Sequence, residues 1–142
     1  MHILNSDIAL LVRLLGLAQL GLAGLGFCIP RLLDWKNGLA NLTPMLRRLF
    51  WVYGLYIFFT NLFFALVFLF FPGVLERPTP AAGIIAGYLT LFWGARFALE
   101  MAGFDRDAIP PFWWARWGSR GLMVLFGAMT IAYGWLTWRT LP

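Results

Sequence analysis

The sequence predicts an all-α fold: a polytopic membrane protein, a four-transmembrane-helix up-down bundle with short loops and interfacial segments. Three observations predict it. Of the 142 residues, 61% are hydrophobic and 12% are charged, where a soluble domain carries roughly a quarter charged residues. Four apolar stretches reach the ~20 residues needed to cross the hydrocarbon core. Each stretch also carries a stripe of small or weakly polar residues at helix-face spacing. The length suits a single transmembrane four-helix domain, residues 1–142, with spans near 8–29, 49–71, 81–101 and 119–139.

The apolar core of the first span is Ile8–Ile29, interrupted by Arg13 and Gln19. The second is Leu49–Phe71, without a charge. The third runs from Ala81 to about Leu99, with Arg96 near its end, and the fourth is the uncharged Gly121–Trp138. Pro30, Pro72, Pro80 and Pro110–Pro111 fall in the gaps, where proline serves as a helix stop. Asp7 breaks the basic region a signal peptide needs, and no small-x-small cleavage site follows, so the first span reads as a membrane helix.

Within lipid, small residues let helix backbones approach and polar side chains bond across the interface. The expected seams are Gly16, Gln19, Ala23 and Gly26 in the first span, and Gly54, Asn61 and Ala65, beside Phe58 and Phe68, in the second. The third offers Gly83, Gly87, Thr90, Gly94 and Ala98, and the fourth Gly127, Thr130, Gly134 and Thr137. Gln19, Asn61, Thr90 and Thr130 each lie near the middle of a span and are expected to form a midplane polar layer. Its plainer role is interhelical hydrogen bonding. Its sharper role is a small polar substrate or ion site, since transporters bind at that depth.

The second span is rich in phenylalanine. Phe59, Phe63 and Phe70 point away from the Gly54–Asn61 face, either toward lipid or as a docking face for another membrane subunit. Seven tryptophans (Trp51, Trp93, Trp113, Trp114, Trp117, Trp135 and Trp138) lie at or near span ends, the headgroup level such rings prefer. Pro110–Arg120 reads as a segment on the cytoplasmic surface. There Trp113, Trp114 and Trp117 enter the headgroups while Arg116 and Arg120 meet lipid phosphates. Arg31–Arg48 can form a second interfacial helix through Leu32, Leu33, Trp35, Leu39 and Leu42.

The net charge of +5 follows the membrane topology. Lys and Arg gather in cytoplasmic loops. The first loop holds Arg31, Lys36, Arg47 and Arg48, and the third holds Arg106, Arg116 and Arg120. The second holds only Arg77, offset by Glu76. Both termini are therefore expected outside, in the periplasm for a bacterial inner membrane. Arg13 and Arg139 run against this count but sit at span edges, where they can snorkel. The charges are too scattered for nucleic-acid binding.

Little chemistry is available. His2 is the only histidine, which excludes bis-histidine haem ligation, histidine-rich di-iron sites and most zinc sites. A Ser–His–Asp arrangement has only that terminal histidine to draw on. Cys28, the single cysteine, excludes a Cys-x-x-Cys pair. No phosphate-binding glycine loop occurs. Arg96 and Glu100, one turn apart, are expected to form a buried ion pair that neutralises two costly charges, or alternatively a proton-relay or headgroup site. Asp105 and Asp107 flank Arg106 in a turn, and two carboxylates are too few for a divalent cation. No cofactor and no metal are expected, while bound lipids are.

Among short four-span families, the small multidrug transporters need an intramembrane glutamate, and Gln19 is uncharged. Phe58, Phe59, Asn61, Phe63 and Phe64 resemble the phenylalanine–asparagine grouping of fluoride channels, without their surrounding glycine–asparagine signature. Quinone-linked thiol oxidoreductases need paired cysteines. Leu11–Gly26, with Arg13, Gly16, Gly21 and Gly24, looks like the first helix of DoxX-type four-helix membrane proteins, over that span alone. The expected function is a non-catalytic accessory or scaffold subunit packing against a larger membrane protein complex. The alternative is a small homo-oligomeric transporter or channel using the polar layer. An enzyme acting on lipids or quinones would have only Glu100, Asp105 and Asp107 to work with.

Overall fold

The computed structural model describes residues 2–103 and 111–142. Four of its helices are long and apolar enough to cross a membrane: α1 (His2–Leu32), α3 (Pro44–Phe70), α5 (Pro80–Met101) and α6 (Trp113–Trp138). Two single-turn helices, α2 (Trp35–Gly38) and α4 (Gly73–Glu76), lie in the connections. The 22 residues of α5, the shortest span, reach ~33 Å at 1.5 Å per residue. The hydrocarbon core is ~30 Å thick. The chain divides into two compact units, Met1–Glu76 and Arg77–Pro142, each built on one antiparallel pair of long helices.

In the first unit, α1 and α3 meet at Gly16. A Cβ there would lie 3.1 Å from both the Ala65 carbonyl oxygen and the Phe68 Cβ. A side chain there would force its neighbours to give way, so hydrogen suits the approach best. Further along, the Phe27 and Phe58 rings stand 6.3 Å apart, so the helices run in opposite directions. Ile8, Val12, Leu15 and Ala23 are buried on α1, and Asn61, Ala65 and Phe68 on α3.

Helix ends depart from expectation in physically readable ways. Pro30 does not stop α1, which continues to Leu32. A proline removes one donor, but the ladder is already ending, and the Leu33 N–H still reaches the Ile29 carbonyl at 2.9 Å. α3 begins at Pro44, five residues before the expected Leu49. Thr43 caps it by accepting from the Leu46 N–H at 3.4 Å, and Pro44 fills the first turn, where no donor is needed. Arg47 and Arg48 therefore belong to the helix. The second interfacial helix expected over Arg31–Arg48 reduces to the single turn α2. Asp34 precedes it in the left-handed region at φ 48°, and its carboxylate accepts from the Asn37 amide at 2.6 Å. The Arg47 guanidinium donates to the Ala40 and Leu42 carbonyls, tying the connection to α3.

In the second unit, Thr79 and Pro80 start α5 in the same manner, with the Ala82 N–H donating to Thr79 Oγ1 at 3.1 Å. α5 ends where Gly103 takes φ 75°, the left-handed stop that favours glycine. α6 starts at Trp113, ahead of the expected 119. The segment read as a separate surface stretch is instead the first two turns of a continuous 26-residue helix. Arg106, Asp105, Asp107 and Pro110 lie outside the described residues, as does the side chain of His2.

The α5–α6 seam is a zipper of glycine against threonine. Gly83 faces Thr140, Gly87 faces Thr137, Thr90 faces Gly134, and Gly94 faces Thr130. At the last step Phe97 lies across Gly127. Each pair moves three or four residues up one helix and down the other, the spacing of one continuous face. Expected seam positions that do not serve are Gly26 and Gly54, with open space where a Cβ would stand, and Ala98, which is exposed.

Candidate functional site

An ion pair and a serine meet where α5 ends and α6 begins. The Arg96 guanidinium lies 3.2 Å from Glu100 Oε2, with side-chain exposures of 38% and 10%. The acid is largely buried and the base reaches outward, so the pair is sheltered on one side only. Helical spacing aligns the two side chains. The other carboxylate oxygen of Glu100 accepts from the Ser119 hydroxyl of α6 at 3.0 Å. Arg96 also lies over the Phe126 ring, 5.3 Å from its centroid, and Phe126 stacks on Trp93 at 5.5 Å. The Trp93 indole nitrogen is buried with no hydrogen-bond partner. Sequence reasoning found the ion pair and missed Ser119. A lone serine among aromatics in a stretch read as surface gives no signal that it turns toward another helix.

The four residues of the expected polar layer have distinct roles. Thr130 donates to the Phe126 carbonyl of its own helix at 2.7 Å, and Asn61 to that of Ile57 at 3.0 Å. Thr90 donates to the Ala86 carbonyl at 2.8 Å and lies 3.4 Å from the Thr137 hydroxyl on α6. Only this last contact joins two helices. One turn back, the helix's own carbonyls satisfy the others. Gln19 differs, being fully buried (0% exposed) with neither amide atom hydrogen-bonded.

Trp113, Arg116, Trp117 and Arg120 line an open groove of about 290 Å³ together with Pro111. Trp114 lies outside the lining and stacks on Phe112 at 5.7 Å instead. On α3, Phe59, Phe63 and Phe70 are 59%, 61% and 71% exposed, flanked by the equally open Tyr53 and Tyr56. Among the described residues no three metal-ligating side chains cluster, and Cys28 is a free, exposed thiol.

These features define a polytopic helical membrane protein with sparse internal polarity. Searched against family models, curated proteins and solved structures, the chain matches none significantly.

Proposed function

We propose that the protein is a non-catalytic accessory or scaffold subunit that packs through α3 against another integral membrane protein. One observation carries this reading: Phe59, Phe63 and Phe70 form an open row on α3, on the side away from the buried Asn61, Ala65 and Phe68. Flat rings at helical spacing supply dispersion contacts, the main source of association between helices in lipid. Glu100, Arg96 and Ser119 are spent on one another, which suits a structural role.

Benzoylphenylalanine placed at position 63 tests this in native membranes. The reading expects one discrete protein adduct on illumination. Adducts to lipid alone would count against it.

Gln19 favours a second reading, a small transporter or channel. The Gln19 amide is buried inside a span with no hydrogen-bond partner, a polar group that a permeating solute could satisfy. In that case flux through reconstituted liposomes is lost in Gln19→Leu, and flux that is absent from the wild type removes the reading.

We place the chain in a bacterial inner membrane with both termini outside. Arg31, Lys36, Arg47 and Arg48 accompany the α1–α3 connection, and Arg116 and Arg120 the start of α6. If each long helix crosses once, these ends share a side, the cytoplasmic one by the distribution of positive charge.

A further inference from the structure

We propose that the first two turns of α6 form a binding groove for the phosphate of an anionic phospholipid. Arg116 and Arg120 would hold the phosphate, with Trp113 and Trp117 bracketing the glycerol backbone. The proposal does not rest on the accessory-subunit reading.

The spacing builds the groove. Trp113, Arg116, Trp117 and Arg120 stand at steps of three, one and three residues, so all four share one helix face. That face is open, with Trp113 76% and Trp117 66% exposed. The Arg120 guanidinium lies over the Trp117 ring, 5.5 Å from its centroid, which fixes one cation beside the groove.

Charge selects the occupant. α6 contains no acidic residue. Glu100 lies near this end of the hairpin, but its two carboxylate oxygens face Ser119 and Arg96. Among the described residues, Arg116 and Arg120 thus have no carboxylate partner. Two guanidiniums one turn apart can chelate a phosphodiester through charge-assisted bonds.

Length selects the source. The 26 residues of α6 extend ~39 Å, about 9 Å more than the hydrocarbon core. The excess is roughly six residues, the length of Trp113–Gly118, and snorkelling carries Arg120 to the same level. A groove at that level meets membrane phosphate before any soluble anion. Tryptophans beside arginines suit the headgroup boundary.

The test uses the whole chain in mild detergent, titrated with phosphatidylglycerol, phosphatidylcholine or inorganic phosphate, with retained ligands counted by native mass spectrometry. Two arginines facing one anionic headgroup give the wild type a preference for phosphatidylglycerol over phosphatidylcholine of roughly thirtyfold. Arg116→Gln with Arg120→Gln abolishes that preference, and helix content by circular dichroism checks that the variant folds. Arg139→Gln, at the opposite end of α6, preserves it. A wild type without the preference overturns the proposal with no variant needed. A preference that survives in the folded double variant also overturns it. Inorganic phosphate that binds alone and displaces phosphatidylglycerol would identify a soluble ligand and overturn the lipid assignment.

Discussion

Gln19 is the residue where physical cost and apparent use are furthest apart. Its amide is buried and unbonded, an arrangement that costs about 1–3 kcal/mol. Leucine has nearly the same volume and no polar atoms. Gln19→Leu is therefore expected to raise stability by about 1–3 kcal/mol in detergent unfolding, and a loss of stability would show that the amide has a partner in the membrane. Asn61, Thr90 and Thr130 carry no such cost, because each donates to a carbonyl one turn back. Their mid-span positions were legible in the sequence. Their bonds were not, since spacing along one helix cannot distinguish a hydroxyl that serves its own backbone from one that reaches a neighbour.

At the scale of elements, the sequence announced each long helix but misplaced several ends. Hydropathy marks the lipid-matched core and is blind to capping. The Thr43–Pro44 and Thr79–Pro80 pairs start two helices with the same device, a hydroxyl accepting from the third residue onward and a proline where no donor is needed. Pro30 was readable as a stop, yet α1 runs two residues past it to Leu32. The seams were legible where glycine meets glycine-spaced threonine on α5 and α6, because both stripes keep one face. On α3 the same rule chose Gly54, which faces open space, and Ala65, which does make the close contact. Ser119 joins α5 to α6 through Glu100. Ser119→Ala is expected to cost about 1.5–3 kcal/mol, the range for a hydrogen bond to a charged group. An unchanged melting temperature would mean the carboxylate has another donor.

The whole molecule holds two helical hairpins, each nested by small residues, with Phe68 buried in the first and Trp93, Phe126 and Tyr133 in the second. The proposed orientation predicts that a periplasm-active reporter fused at the C-terminus is functional and one inserted at Gly38 silent. The reverse pattern would invert the topology and place the α6 groove in the outer leaflet. Nesting itself depends on Gly16, where a Cβ would press on the Ala65 carbonyl and the Phe68 Cβ, backbone-anchored atoms with little freedom to yield. Gly54 has nothing within reach and serves as the internal control. The most direct measurement is unfolding in detergent of Gly16→Val beside Gly54→Val. The first is expected to lose about 1–3 kcal/mol by overpacking, while the second stays within about 0.5 kcal/mol of the wild type. Equal losses, or a larger loss at Gly54, would contradict the close approach on which the first hairpin is built.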